Sequence, residues 1–308
     1  MSTDDHSAQG RPPRAMAGVC VALLCLAGTS AGPAAQVSPT PFNVAFTTTM
    51  FAAVNTNDAR AAVMVLAREI AAARNIPITP VATVYERIED LRSAVDAGKV
   101  QFAMLSVPQY YELQRPDFAK TVLISRRGRV KEEFLLLAKK GSVARLSDLE
   151  GSTVMTADGL DHDMSLAWLA TVLADRRLPP PERFFRSVTS APKVPRAVLA
   201  VYFGQASACI VTRSALETII ELNPQVGASL EPLATSPPLV SSVALLAHGS
   251  DYTLPRFLDA LSNLHENARG QQGMRLFGIE RMTIGAPTDL ASSIDMVRAL
   301  GRHGQAGR

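Results

Sequence analysis

The stretch KKGSVARLSDLEGSTV, residues 139–154, decides how this chain is organised. The apolar run at 133–138 just before it and residues 153–156 at its end each predict a buried strand. Between them, Ser147 to Gly151 predicts one capped turn of helix that ends at a glycine. The break divides the chain into two parts, and the patterns on its two sides predict halves of similar build.

The first half alternates strand and helix patterns. Residues 59–73 are rich in alanine, with Val63, Leu66 and Ile70 at helical spacing, and residues 85–97 predict a second helix. Predicted strands lie at 42–46, 76–81, 100–105 and 120–124. The order strand, helix, strand, helix, strand requires a mostly parallel sheet with helices on both faces.

The second half repeats this alternation and then returns to the first. Its predicted strands lie at 153–156, 184–188, 207–211 and 240–247. Its predicted helices lie at 160–175, 194–202 and 214–222, followed by C-terminal helices at 254–268, 273–277 and 288–300. The sequence therefore predicts an α/β protein with mixed, mostly parallel sheets.

The N-terminus has the pattern of an export signal. Arg11 and Arg14 precede an apolar run at 15–27, and small residues follow to position 35. We expect a mature, soluble periplasmic chain that starts near Gln36, with Met1 and Met16 both open as translation starts. Cys20 and Cys25 lie within the signal without a lipid-acceptor pattern, so a lone cysteine at position 209 remains and no internal disulfide is possible.

Composition excludes several classes of protein. The 308 residues suggest about two domains at roughly 150 residues each. Hydrophobic residues make up 47%, which is enough for sizeable cores. Lys and Arg number 31 against 28 Asp and Glu, and the net charge of +3 argues against a nucleic-acid binder. Beyond the signal, no window is long and apolar enough to span a bilayer, which excludes a polytopic membrane protein.

Three stretches carry a family resemblance. Residues 139–154 resemble the segment in which bacterial periplasmic solute-binding proteins cross from the first lobe to the second. DAGKVQFAML at 96–105, followed by SVPQY at 106–110, resembles a helix, strand and turn of the same family. Residues 197–211 resemble a further stretch of that family. With the export signal, the chain is similar to the phosphate, phosphite and phosphonate branch of ABC-transporter substrate-binding proteins.

The resemblance implies a two-lobed, hinge-joined type II periplasmic-binding-protein fold. Its domains would be a signal peptide at 1–35, lobe I at 36–130, lobe II at 131–235, and a return to lobe I with C-terminal helices at 236–308. The implied function is the periplasmic binding component of an ABC transporter, which holds a small polar ligand between its lobes. The implied partner is the membrane permease, the chain would be a monomer, and neither a cofactor nor a nucleic acid is implied.

Candidate ligand-binding residues follow from the topology, because the carboxyl ends of parallel strands meet at one edge of a sheet. Hydroxyls and helix-start N–H groups at such an edge can hold polar ligand atoms, and tyrosines add a ring face and a hydroxyl. The candidates in lobe I are Thr47, Thr48, Thr49, Tyr85, Ser106 and Tyr110. The candidates in lobe II are Thr156, Asp158, Ser190 and Lys193.

Lobe II departs from the family's ligand motifs. Where the family has a turn rich in serine and threonine after the first strand of this lobe, residues 156–159 read TADG, and Asp161 and Asp163 follow. Ser207 replaces an acidic residue of the family, and the histidine of its Ser-x-His loop is absent. Two like charges about 4 Å apart repel by about 4 kcal/mol at an effective dielectric constant of 20. We therefore expect weak binding of phosphate and simple alkylphosphonates, and better binding of ligands with an amine or neutral polar groups.

Two other functions stay open at the level of sequence. One is a sensory or accessory binding subunit of a signalling or redox system, which keeps the fold. The other is a hydrolase that uses Asp161, His162 or Asp163. Adjacent residues on a helix point in different directions, so these three are a poor metal site and no metal is expected. The sequence contains no Gly-x-Ser-x-Gly elbow, phosphate loop or Cys-x-x-Cys motif.

Overall fold

Two sheets organise the chain. The computed structural model describes residues 39–50, 55–114, 120–125, 128–247 and 253–306; the predicted signal peptide lies outside these ranges. The strands are β1 (Thr40–Thr47), β2 (Ile78–Tyr85), β3 (Phe102–Ser106), β4 (Lys120–Ser125), β5 (Phe134–Lys139), β6 (Thr153–Ala157), β7 (Ser187–Ala191), β8 (Ala208–Thr212), β9 (Leu230–Thr235), β10 (Ser242–Leu246) and β11 (Arg281–Gly285). The six-stranded first sheet has the order β11-β4-β10-β3-β1-β2, and the five-stranded second sheet has the order β7-β6-β8-β5-β9.

Helices connect most of these strands. They are α1 (Thr56–Ala73), α2 (Ile88–Asp96), α3 (Val107–Leu113), α4 (His162–Asp175), α5 (Pro181–Phe184), α6 (Val194–Tyr202), α7 (Arg213–Leu222), α8 (Pro224–Ser229), α9 (Thr253–Ser262), α10 (Ala268–Leu276) and α11 (Ala291–Ala306). Caps fix several of their starts: the Asn55 side chain accepts from the Asn57 N–H at α1, and Thr212 accepts from the Ala215 N–H at α7. No helix of the described part is long and apolar enough to cross a membrane.

Mixed α/β architecture with two sheets is confirmed, but antiparallel pairing is more frequent than expected. β1 pairs in parallel with β2 and β3, and β6 pairs in parallel with β7 and β8. By contrast, β10 runs antiparallel to β3 and β4, β11 antiparallel to β4, and β5 antiparallel to β8 and β9. The reason is that β5 and β10 each enter a sheet directly from a crossing between sheets, at the edge where the parallel strands end.

The chain crosses between the sheets twice, whereas residues 139–154, which resemble the family's crossing segment, join β5 to β6 within the second sheet. One crossing joins β4 to β5 and the other joins β9 to β10. Glu132 on the first and Leu239 on the second exchange two backbone hydrogen bonds of 2.8 Å each. The second sheet is thus an insertion into the first, while the domain bounds at 36–130, 131–235 and 236–308 stay a prediction.

Packing links the two sheets beyond the crossings. Helix α11 packs on both α3 and α4, so a C-terminal helix contacts elements that follow a strand of each sheet. One buried apolar cluster accordingly includes Leu105 at the end of the first sheet and Phe134 and Trp168 beside the second. A second cluster lies on the other face of the first sheet, around Phe46, Met104 and Phe257.

Candidate functional site

Uncharged polar groups cover the edge of the first sheet at which β1 and β3 end. The Thr47 hydroxyl donates to Gln109 Oε1 at 2.9 Å, and Gln109 Nε2 donates to Thr49 Oγ1 at 2.9 Å. The Ser106 hydroxyl accepts from the Gln109 N–H, and the Ser106 N–H donates to Gln109 Oε1, which closes a capping box at the start of α3. The structure thus brings Thr47, Thr49 and Ser106 together, while Thr48 is exposed beside them.

Gln109 is a residue that the sequence analysis missed as a candidate. It lies three residues after Ser106, and this Ser-x-x-Gln spacing is the signature of a capping box. Its amide contacts both strand ends and therefore holds the hydroxyls of Thr47 and Thr49 in place. The capping signature was visible in the sequence, but the contact with a residue 62 positions earlier was not.

Ser241 and Ser242, also missed, complete this edge. β10 runs antiparallel to β3, so it starts where β3 ends, and Ser242 lies directly opposite Ser106. Both serines are buried, with 3% of each exposed, and neither hydroxyl has a hydrogen-bond partner among the described residues. We call Thr47, Thr49, Ser106, Gln109, Ser241 and Ser242 the hydroxyl edge.

Carboxylates dominate the facing edge of the second sheet. β6 ends at Ala157, and residues 158–163 form a turn into α4 that we call the acidic turn. Asp163 in this turn accepts a hydrogen bond of 2.7 Å from the Ser106 hydroxyl to its Oδ2 atom. This bond joins the two edges directly, because Asp163 belongs to the first turn of α4 and Ser106 to the end of β3.

Leu160 anchors the acidic turn on the first sheet. Its side chain is buried, with 7% exposed, and belongs to the apolar cluster around Phe46, Met104 and Phe257. The other buried members of that cluster come from the first sheet or from the helices and loops that connect its strands. The acidic turn is therefore held at the first sheet by an apolar contact as well as by the Asp163–Ser106 hydrogen bond.

The other lobe II candidates lie apart from this contact. Thr156 is fully buried, and its Oγ1 lies 3.3 Å from His162 Nδ1 and donates to the Thr189 carbonyl at 3.4 Å. Ser190 and Lys193 are exposed, Ser190 opposite Thr156 in the β6–β7 pair and Lys193 at the start of α6. The structure thus places Thr156 under the acidic turn and leaves Ser190 and Lys193 at the surface.

A cavity of about 240 Å³ opens beside the acidic turn. Its walls carry the carboxylates of Asp158, Asp161 and Glu280, and the described residues that line it include no lysine, arginine or histidine. Hydroxyl and apolar groups complete the wall: Ser165, Thr212, Ser214 and Thr218, with Phe134, Ala157, Val194, Ile210, Val211 and Ala215. We call it the acidic cavity, and its chemistry favours a positively charged or hydrogen-bond-donating guest.

The predicted tyrosines pack partly into the core beside the first sheet. Tyr85 ends β2 and is not on a helix as predicted, because the parallel pairing with β1 continues through the Thr47–Tyr85 pair. Burial raises the pKa of Tyr85, an effect that a hydrogen bond with Asn43 partly offsets, and burial alone raises the pKa of Tyr110. Both phenols therefore remain neutral hydrogen-bond donors at physiological pH.

The Asp161-His162-Asp163 run, considered above as a hydrolase centre, has its side chains in three different places. Asp163 contacts Ser106, His162 contacts Thr156, and Asp161 lines the acidic cavity. Within the described ranges, no group of three or more His, Cys, Asp or Glu side chains is arranged to hold a metal. The three residues therefore do not form one centre.

Comparison with known proteins gives a family match. Residues 49–290 match the family described as ABC transporter, phosphonate, periplasmic substrate-binding protein. No curated protein sequence matches the chain.

Solved structures share the fold at low sequence identity. A binding protein of an ABC phosphonate transporter from Pseudomonas aeruginosa has a TM-score of 0.61 and 13% identity, over 88% of this chain and 90% of that one. PhnD1 from Prochlorococcus marinus, in complex with methylphosphonate, has a TM-score of 0.58 and 10% identity, over 86% and 98%. A Xanthomonas citri protein bound to ATP has a TM-score of 0.60 and 11% identity, over 86% and 99%.

These likenesses extend over most of the chain and agree with the two-sheet architecture. The family match includes both crossings and runs from just after β1 to just before α11. Such proteins bind small molecules in the periplasm and interact with a membrane permease. The chain belongs to the family of periplasmic substrate-binding proteins of phosphonate ABC transporters.

Proposed function

We propose that this substrate-binding protein takes a small ligand that carries an amine or neutral polar groups, and that it binds bare phosphate and simple alkylphosphonates weakly. The ligand lies between the two sheet edges, with its amine toward the acidic cavity. Closing of the two lobes around it presents the loaded form to the permease.

The acidic cavity is the observation that carries this proposal. Three carboxylates, those of Asp158, Asp161 and Glu280, line a space of about 240 Å³ without a basic side chain among its described lining residues. Each unit of negative charge on a ligand about 4 Å from one carboxylate would meet an unfavourable interaction of about 4 kcal/mol at an effective dielectric constant of 20. An ammonium group gains from the same charges, and the surrounding hydroxyls can accept its remaining hydrogens.

The hydroxyl edge supports the neutral part of the proposal. Its groups are threonine and serine hydroxyls and one amide, which both donate and accept hydrogen bonds without a net charge. A hydroxyl- or amide-bearing ligand can donate a hydrogen bond there to Thr49 or to Ser106, whose own proton bonds Asp163. Tyr110, partly buried on α3, adds an apolar ring against the ligand.

Further parts of the proposal concern the whole protein. The chain acts as a non-catalytic monomer, is exported through its N-terminal signal, and begins near Gln36 once the signal is removed. The proposed ligand-binding residues are Thr47, Thr48, Thr49, Tyr85, Ser106, Tyr110, Thr156, Asp158, Ser190 and Lys193.

A thermal-shift screen followed by calorimetric titration tests the ligand class. The panel contains inorganic phosphate, methylphosphonate, an alkylsulfonate, small primary amines, amino alcohols and polyols. We expect the largest shifts from compounds with an amine, and weak or absent binding of phosphate and methylphosphonate. Sub-micromolar binding of either anion by the unmodified protein would refute the proposal.

Substitution of Asp158 gives the matched comparison. Asp158→Asn removes one charge from the acidic cavity at almost constant volume, so it should weaken amine binding and strengthen anion binding. Asp175→Asn is the control, because Asp175 is exposed at the far end of α4. Equal behaviour of the two variants would show that the cavity does not select the ligand.

A further inference from the structure

We propose that Asp163 is a built-in competitor for the hydroxyl edge: its carboxylate holds the Ser106 hydroxyl where an anionic group of a ligand would otherwise bind, and Leu160 keeps it there. Asp163 is thereby a specificity-determining residue of this site. The inference goes beyond the acidic cavity and rests on the proposed ligand preference only in assuming that ligands reach this edge.

The Asp163–Ser106 bond has the geometry of a bound anion. The distance of 2.7 Å between Ser106 Oγ and Asp163 Oδ2 is typical of a hydroxyl that donates to a charged acceptor. The same hydroxyl accepts from the Gln109 N–H within the capping box, which fixes its position. The Ser106 hydroxyl is therefore a fixed hydrogen-bond donor, and its proton already bonds the Asp163 carboxylate.

A buried hydroxyl group without a partner among the described residues, that of Ser242, lies next to this bond. Ser242 is directly opposite Ser106 in the β3–β10 pair, so both side chains lie on the same face of the sheet. The Ser242 hydroxyl is buried and has no partner among the described residues. Since buried polar groups are almost always hydrogen-bonded, this hydroxyl indicates a place that a further acceptor can fill.

Tethering makes Asp163 a strong competitor. A group attached by a short segment has an effective concentration on the order of millimolar, which a ligand at micromolar concentration must overcome. Burial of Leu160 in the apolar cluster of the first sheet limits the turn's freedom further. An anionic ligand gains access to Ser106 only when Asp163 leaves, whereas an amine can bind without displacing it.

Asp163→Asn tests the inference in the full chain, with methylphosphonate and acetate as separate probes. The variant keeps the side chain's shape and removes its charge. We expect methylphosphonate and acetate to bind about 10- to 100-fold more tightly than to the unmodified protein, the scale of one charge-assisted hydrogen bond. Asp163→Ala serves as a second variant, and circular dichroism and melting temperature establish that each variant folds.

The double variant Asp163→Asn/Ser106→Ala separates release of Ser106 from a general loss of negative charge. If Asp163 competes for Ser106, the gain in anion affinity disappears in the double variant, whereas the gain from Asp158→Asn persists when Ser106→Ala is added. Asp175→Asn should leave anion affinity unchanged. A gain at Asp163 that survives loss of Ser106, or no gain at all, would overturn the inference, while amine binding by the unmodified protein tests the proposed function independently.

Discussion

The two edges that face each other in this protein differ in how they present polar groups. The hydroxyl edge is uncharged and its contacts form one network through Gln109. The acidic turn and the acidic cavity present carboxylates. Two residues of the acidic turn contact the first sheet: Leu160 packs in its apolar cluster, and Asp163 accepts a hydrogen bond from Ser106. Asp158, Asp161 and Asp163 belong to the acidic turn, and Glu280, next to β11 of the first sheet, adds a fourth carboxylate, so under the proposed function the acidic turn supplies most of the charge that selects the ligand.

The largest expected effect concerns Cys209 on β8, the strand that pairs with β6 next to the acidic turn. Burial raises the pKa of the Cys209 thiol from 9.0 to about 12, which lowers its thiolate fraction near neutral pH about a thousandfold. We expect a thiol reagent to modify Cys209 at least about a thousandfold more slowly in the native protein than in urea. Mass-spectrometric mapping of the labelled peptide measures both rates.

The same shift predicts a pH dependence. The pKa of the Cys209 thiol is higher in the native state than in the unfolded state. The contribution of this thiol to stability is therefore complete below pH 9 and is lost as the pH rises toward 12. Cys209→Ala should flatten that part of the stability curve. If Cys209 is labelled as fast in the native protein as in urea, solvent reaches β8. The sheet would then not be shielded from solvent beside its charged edge, contrary to this prediction.

The next effect concerns the contact between the acidic turn and the first sheet. Leu160→Ala should lower the free energy of unfolding by about 2–5 kcal/mol, because it removes a buried side chain from the cluster of the first sheet. Leu222→Ala is the matched control, since Leu222 is 84% exposed and should change stability by less than about 0.5 kcal/mol. Urea denaturation followed by Trp168 fluorescence measures both; similar small losses would show that the acidic turn is not anchored.

The smallest effect concerns the hydroxyl edge alone. Ser106→Ala should weaken binding of the best compound in the ligand panel by about 1–3 kcal/mol, the cost of a lost buried hydrogen bond. Ser93→Ala, on the exposed face of α2, should leave calorimetric affinity unchanged. If Ser106→Ala has no effect on affinity, the hydroxyl edge is structural and the ligand contacts lobe II only.

Much of the fold could be predicted because local patterns specify it. Helix α6 lies at the predicted residues 194–202, and the predicted turn of helix before Gly151 is present. Strands β9 and β11 were missed, since β9 contains Pro232 and is mostly only partly buried, and β11 is short and has exposed residues. Such edge strands are fixed by pairing with distant neighbours more than by their own periodicity.

The site was harder to predict for a related reason. Topology alone brought Thr47 and Ser106 to one edge, as expected from parallel strands that end together. The Asp163–Ser106 bond joins residues 57 positions apart on different sheets, and no local pattern carries that information. Position 160 illustrates the same limit, because the local pattern predicts the start of a helix there, whereas the Leu160 side chain packs in the apolar cluster of the first sheet.

The insertion of the second sheet into the first has a consequence for biogenesis. Strand β3 pairs with β10, and more than 130 residues, which include every strand of the second sheet, separate the two along the chain. During vectorial synthesis or translocation the N-terminal part therefore emerges with a central strand unpaired on one side, while the inserted lobe already contains all its own strands. The inserted lobe can thus fold first, while the free edge of β3 stays open to unwanted pairing until β10 arrives.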